Sequence, residues 1–518
     1  MVNRNLRSAI SPGRFRAAPQ TVFQVDTQGS DVSAAPTVIN GFVFFGDWTG
    51  FLYKVDAITG AVAWKKNVTE LVWPGGVGAT NKLVTRTAVT DAGNGNLIIG
   101  TQVQSQGLPG NPTGNQGYVV SLKASDCTAV WKTLVDPSPY AVVTASPSVY
   151  QGAVYVGVSS MEELVDGFGV EECCSFRGSV VRLALDTGVK VWQFYTAPNV
   201  PGWSGNAVWG SAPAIDEARG WVYVATGNQY SAPKSVLECL ANSANNEQKF
   251  ACVNQVENNW FNSILAIDMN TGVLAWGRRV SFFDVWTTTC IPFVSTVTDC
   301  PFVESPDYDF GQAPLYFPGT QCGSETKDIL VAGQKSGWGY GINAATGAIL
   351  WKTYTGVGST SGGMQWGSAS DGVRTVFYQN ANFAFKDVTL TNPAPGSPAI
   401  ASGGFGTAVD ICTGAIKWQA AIPITPTTKS AAAGPPVYIR ELGANGNEYV
   451  VYPTLSDEGK LVAFNARTGE HYTTLIAGPG ASVSGPAVVN GYLYVGVGYS
   501  RFGFGAKAVK HGLTAFRL

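Results

Sequence analysis

The chain has 518 residues, 45% hydrophobic and 13% charged, enough to bury a large core. Its 33 Lys and Arg nearly balance 35 Asp and Glu, and a net charge of −2 offers no field for holding nucleic acid or an acidic membrane. No apolar run reaches the roughly 18 residues of a spanning helix, so no membrane span is expected.

The opening MVNRNLRSAISPGRFRAAPQ carries basic residues without the apolar stretch of a secretory signal. From there the chain repeats one device: TGAVAW (59–64), DCTAVW (126–131), TGVKVW (187–192), TGVLAW (271–276), TGAILW (346–351) and TGAIKW (413–418). An alternating apolar strand precedes each, such as FLYKVDA or ILAIDMN, followed by a tight turn and a second strand ending on Trp. A seventh copy, LVAFNARTGEHYTTL (461–475), keeps Thr468-Gly469 and loses the Trp.

Upstream of most hairpins lies another strand pair, as in APTVINGFVFFGD and SPSVYQGAVYVGV, so each repeat is predicted to be a four-stranded sheet. Repeats that cannot cover their own faces predict an all-β propeller with neighbouring blades packed face to face. The count reaches eight if ASVSGPAVVNGYLYVGVGY and HGLTAFRL form the inner part of a last blade whose outer strand is PQTVFQVDT (19–27). Joining both chain ends in one blade removes an open edge, and residues 1–518 are read as a single eight-bladed domain. The repeated Trp is then a packing residue between blades. Insertions are expected at 66–84, 102–116, 229–261 and 281–325.

Nine cysteines are too few for a disulfide scaffold, and the absence of CxxC and CxxCH argues against a thiol redox motif and a covalently attached c-type haem. Cys239 with Cys252 and Cys290 with Cys300 are close enough in loop-like segments to predict local disulfides, and with them an oxidising, extracytoplasmic compartment such as periplasm, apoplast, vacuole or the secreted state. Cys173 and Cys174 are open to several readings: a vicinal disulfide, a buried thiol pair, or bridges to Cys127, Cys322 or Cys412. Their stretch, SMEELVDGFGVEECCSFRGS (160–179), also concentrates four glutamates, of which Glu171 and Glu172 read as a solvated turn. The only histidines are His471, in a hairpin turn, and His511, which argues against a Ser-His-Asp triad or a His-rich zinc site. Proton chemistry in this chain therefore falls to a carboxylate.

The T-G-x-x-x-W hairpins on an eight-blade count resemble the repeats of quinoprotein alcohol dehydrogenases, which bind pyrroloquinoline quinone (PQQ) at the propeller axis. More narrowly, VGVSSMEE…CCSFRGSVV, AVWGSAPAID, VYVATGNQY, FNSILAIDMNTG, DYDFGQAP and AGQKSGW, in that order, resemble the polyvinyl-alcohol-dehydrogenase-like branch. The resemblance implies a set of site residues. Arg86 would pair with quinone carboxylates, Thr144 would donate a hydroxyl to the cofactor, Trp209 would form the floor under its flat ring, and Lys335 would stand over the quinone oxygens. For a metal, Asn228 matches an amide-oxygen ligand and Glu163 a carboxylate ligand, with Glu162 the alternative one residue away. Asp307 matches the catalytic base, and Asp309 follows at the spacing of the lanthanide-using members, so the implied ion is Ca²⁺ or a lanthanide.

The implied reaction is alcohol oxidation: Asp307 takes the alcohol proton, the metal polarises a quinone carbonyl, and hydride passes to the quinone. SPDYDF departs from the family in lacking a Trp before the Asp, and without CxxCH the electron acceptor is a separate molecule. The substrate, a small or a polymeric alcohol, is left open. The contrasting expectation is a propeller that has lost the quinone and serves as a non-redox enzyme or ligand-binding scaffold.

Overall fold

The computed structural model describes residues 4–11, 15–74, 82–103, 117–166, 173–210, 212–291, 300–424, 430–442, 446–480, 482–500 and 512–518. Glu171, Glu172, His511 and most of the 102–116 insertion lie outside them. The blades follow from alternation of apolar residues along strands separated by Asx turns. In the sixth hairpin, for example, Asp410 Oδ1 accepts Cys412 N, Thr413 N and Thr413 Oγ1 at 3.0 to 3.1 Å, which folds D-x-x-T-G back on itself before glycine reverses the chain.

The fold is an eight-bladed β-propeller, and its chain separates into two compact units. The first, chiefly Val68–Ala313, contains three blades: four-stranded ones at 90–134 and 214–279, and one at 148–195 that Ala141–Val142 extends to five strands. The second, Arg4–Asn67 with Pro314–Leu518, contains five. Four of them span 37–67, 315–354, 369–421 and 437–476. The fifth is shared between the chain ends: Gln20–Val25 pairs antiparallel with Leu513–Arg517, outside Tyr492–Gly496 and Ala487–Val489. Several short strands lie outside the sequence-based expectation, among them the pairs Leu83–Val84 with Gln102–Val103 and Ser204–Gly205 with Gln229–Ser231. Ser8–Ser11 adds in parallel to Val437–Glu441 and gives that blade a fifth strand.

Within each unit the core lies between blades. Ile98 and Val119 of one sheet pack with Val154, Val156 and Val181 of the next, and Tyr155 and Val180 pack in turn with Val222, Val224 and Leu265. Each such aliphatic side chain taken from water contributes about 1.5–3 kcal/mol before entropy is charged against it.

The repeated Trp reaches from its own blade onto the next hairpin turn. Trp131 Nε1 donates to Leu185 O at 2.8 Å, Trp192 to Met269 O at 3.0 Å, Trp351 to Ile411 O at 2.7 Å and Trp418 to Ala466 O at 3.0 Å. The indole ring then lies against the glycine of that next T-G step, so tightly at Gly188 that a Cβ would enter the Trp131 ring. Gly188 also has φ +70°. Glycine here serves two needs, a left-handed turn and a flat seat for the neighbouring blade's indole.

The 229–261 insertion is not the loop expected around Cys239 and Cys252. It folds into two helices, Lys234–Ala241 and Asn246–Val253, the second capped by the Asn245 side chain accepting Gln248 N at 3.0 Å. Leucine, alanine and glutamate supply helix propensity that outweighs the loop signals read from sequence spacing. Disulfides join Cys239–Cys252, Cys290–Cys300, Cys173–Cys174 and Cys322–Cys412, and the ninth cysteine, Cys127, is buried. Among the described residues no helix is long and apolar enough to cross a membrane.

Candidate functional site

Eight of the nine sequence-predicted ligand and base residues lie in the first unit, and short steps of backbone and side-chain bonding link them. Arg86 follows strand Leu83–Val84, which pairs with Gln102–Val103, and its Nη1 lies 3.5 Å from Gln102 Oε1. The same stretch meets the next blade where Val143 N donates to Thr101 O at 3.0 Å, placing Thr144 one residue on. Thr144 Oγ1 donates to Trp209 O at 3.0 Å, so its proton is directed at the backbone that carries the indole.

Trp209 Nε1 donates to Asp309 Oδ2 at 3.1 Å, and Asp309 Oδ1 accepts Asn228 N at 2.5 Å. Both oxygens of this buried carboxylate therefore act as a joint between the indole edge and the Asn228 backbone. The bond fixes the indole by its edge, and the ring packs against the neighbouring aliphatic core. Asn228 Nδ2 donates to Gln229 O and Trp286 O, each at 2.8 Å, which spends both amide hydrogens and makes Oδ1 the end available to a cation.

The two glutamates separate clearly. Glu162 is buried; its Oε1 accepts Ser175 N at 2.8 Å and Ser175 Oγ at 3.1 Å, and its Oε2 accepts Phe176 N at 2.8 Å. It thus ties down the chain directly after the Cys173–Cys174 bridge. Glu163, half-buried, belongs to the same short helix, Glu162–Asp166, whose end docks on 287–288 through Thr288 Oγ1 to Glu163 O and Thr287 Oγ1 to Asp166 Oδ2, both 2.7 Å.

Asp307 has φ +55°, a left-handed backbone that costs a non-glycine residue energy and persists only when neighbours enforce it. Here the enforcing group is Asp284, which sequence reasoning missed. Asp284 Oδ1 accepts Asp307 N at 3.0 Å, and its Oδ2 accepts Tyr308 N and Asn262 Nδ2, both at 2.7 Å. Asp284 is fully buried, and desolvation pushes its carboxyl up to about 6 against the pull of these donors. The available sequence signal was a lone Asp inside the bulky run FFDVW (282–286), since a carboxylate in such company must find donors.

The four predicted carboxylates share one neighbour. Burial pushes the Tyr230 phenol well above its ordinary range, and the negative fields of Glu163, Asp309, Glu162 and Asp307 push it further. The shared direction shows that all four acids act on one buried phenol. Among the described residues no three His, Cys, Asp or Glu side chains form a metal-holding group. Within the predicted set, Glu162 and Asp309 are bonded to backbone, hydroxyl and indole donors. Lys335 belongs to the second unit, where it is buried and its carbonyl accepts Gly363 N at 2.8 Å. His471 is exposed and makes a 3.0 Å contact from Nε2 to Thr474 Oγ1.

No family model matches the chain. In sequence it is 26% identical over 495 residues to a polyvinylalcohol dehydrogenase of Sphingopyxis sp., covering 90% of this chain and 66% of that protein, and a Pseudomonas polyvinylalcohol dehydrogenase is matched to the same extent. The chain thus spans slightly less than two thirds of the length of these relatives. Over 345 residues it is 25% identical to quinohemoprotein alcohol dehydrogenase ADH IIB of Pseudomonas putida, covering 61% of this chain and 43% of that one. The fold matches a quinohemoprotein alcohol dehydrogenase of Comamonas testosteroni with TM-score 0.65 at 15% identity, over 99% of this chain and 79% of the other. A europium-containing methanol dehydrogenase gives TM-score 0.62 at 17% identity, over 96% and 93%. In sequence and in fold, the chain resembles the quinoprotein alcohol dehydrogenases, and within them the polyvinyl alcohol dehydrogenase branch.

Proposed function

We propose that the protein is a PQQ-dependent alcohol dehydrogenase-like oxidoreductase working with a hard cation, Ca²⁺ or a lanthanide. The observation that carries this reading is the bonded run from Thr144 through Trp209 and Asp309 to Asn228, with Asp307 two residues from Asp309 and four acids acting on the buried Tyr230 phenol. A bare scaffold has no need of an indole fixed by its edge or of an asparagine with both amide hydrogens spent.

When bound, the quinone supplies the two-electron chemistry that no side chain here can supply. The protein's part is position and field. Trp209 offers an indole face for stacking, and Thr144 seats that indole through its carbonyl. Arg86 brings a planar fork suited to carboxylates. Glu163, Asp307 and the Asn228 amide oxygen hold the cation, while Glu162 and Asp309 brace the residues around them. The Asp307 carboxylate accepts the alcohol proton.

The substrate is an alcohol, small or polymeric, electrons leave to a separate acceptor, and the four disulfides suit an extracytoplasmic compartment. The test is titration with PQQ plus Ca²⁺ or La³⁺, reading cofactor binding and alcohol-dependent reduction of an artificial acceptor. Folded protein that shows neither binding nor turnover overturns this reading in favour of a scaffold without quinone.

A further inference from the structure

We propose that Asp284 is a positioning residue that sets the backbone of Asp307 for the reaction; this rests on the functional reading above. Three donors converge on one buried carboxylate: Asp307 N at 3.0 Å, Tyr308 N at 2.7 Å and Asn262 Nδ2 at 2.7 Å. Two of them are consecutive backbone groups, so the carboxylate grips the peptide at which Asp307 adopts φ +55°. An acceptor-only side chain is required. Asparagine would turn an NH₂ group toward at least one of the three donors.

The grip is itself anchored. The Asp284 carbonyl accepts Gln229 N at 2.9 Å, next to Asn228, and Asn262 N donates to Gly227 O at 2.9 Å. Val285 N donates to Ser305 Oγ at 2.7 Å and Phe310 N to Thr226 O at 3.3 Å, so the segment 305–310 is held at one end beside Asp284 and at the other two residues before Asn228. Asp284 thereby ties the position of the Asp307 backbone to that of Asn228 without either side chain having to move. Burial alone would be served by an apolar residue at 284; a charge held by three donors at the left-handed residue points to placement of the carboxylate that follows.

The test compares Asp284→Asn with the wild-type holoprotein loaded with PQQ and Ca²⁺. Expected are a fall in kcat of about tenfold or more, the scale on which small misplacements act, with KM and cofactor affinity within about twofold of wild type. Amide exchange at residues 307–308 should rise in the same variant. Asp216→Asn is the control: this buried carboxylate binds Arg219 and Tyr223 at 2.8 Å, remote from these bonds, and its loss should lower Tm and leave kcat and the 307–308 exchange unchanged. If Asp284→Asn does not fold, Asn262→Ser removes one of the three donors and should move the same two readouts in the same direction. Wild-type kcat and wild-type exchange in the variant that folds overturn the positioning role. Should the wild type itself lack turnover, the functional reading fails separately, and unchanged 307–308 exchange in Asp284→Asn still overturns the grip.

Discussion

Trp209 and Asp309, one hundred residues apart, share a 3.1 Å hydrogen bond from indole Nε1 to Oδ2, while the other oxygen of the carboxylate takes the backbone N–H of Asn228. A flat ring held by its edge keeps its orientation. Trp209→Phe keeps an aromatic face but removes the donor, a bond worth about 1.5–3 kcal/mol when one partner is charged. PQQ affinity should fall about tenfold in Trp209→Phe and further in Trp209→Ala, read by quenching of intrinsic fluorescence. Equal affinity in all three proteins would remove Trp209 from the cofactor site.

Asp307→Asn retains the size and backbone of the candidate base and removes its capacity to accept a proton. Turnover should vanish while PQQ binding stays within a few-fold of wild type. Full turnover in this variant would assign the base elsewhere.

Glu162 and Glu163 are adjacent in sequence, and the proposed reading gives them different roles. Glu162→Gln puts an NH₂ group where Ser175 N or Phe176 N now donates and should cost roughly 1–3 kcal/mol in urea unfolding. Glu163→Gln should weaken binding of Tb³⁺, followed by sensitised luminescence, more than Glu162→Gln does. The reverse pattern would return Glu162 as the ligand.

Two glycines separate backbone strain from packing. Gly93 has φ +76° with open space around it, so Gly93→Ala should cost only about 1 kcal/mol. At Gly188, φ +70°, an added methyl also meets the Trp131 ring, and Gly188→Ala should cost about 2–4 kcal/mol. Matching losses of stability in chemical denaturation would contradict the role of T-G as an indole seat.

Burial raises the Asp410 carboxyl, but the Arg374 Nε donor at 2.7 Å and the Thr413 donors outweigh it and hold the pKa below the ordinary 3.8. A depressed folded pKa means stability that is present above the unfolded pKa and lost as pH falls through the folded one. Stability should therefore drop below about pH 4, and Arg374→Ala should flatten that part of the curve while lowering the urea midpoint at pH 7. An unaltered acid limb would show that Arg374 does not set this ionisation.

Much of the fold was legible because it repeats. T-G-x-x-x-W and its preceding alternating strand are local instructions, and the Asx turn at Asp410 and the hairpin glycine at Gly188 act within a few residues. The pairing of Gln20–Val25 with Leu513–Arg517 was legible for another reason: two incomplete strand sets needed each other. The helices at 234–253 were not, since their spacing reads as loop until helix propensity and the Asn245 cap are weighed together.

The site divides along the same line. Motif resemblance singled out Asn228, Asp307, Asp309 and the Glu162/Glu163 pair, because residue type and order survive in sequence. Tertiary structure decided which glutamate spends both oxygens on backbone N–H groups, and it brought Asp284 under Asp307. A hydrogen bond between residues 23 positions apart leaves no periodic trace, whereas a strand that must alternate and a turn that must reverse write their requirements into neighbouring residues. Sequence alone thus determined the blades; the bonds that fix Glu162, Asp284 and Asp309 came only with the folded chain.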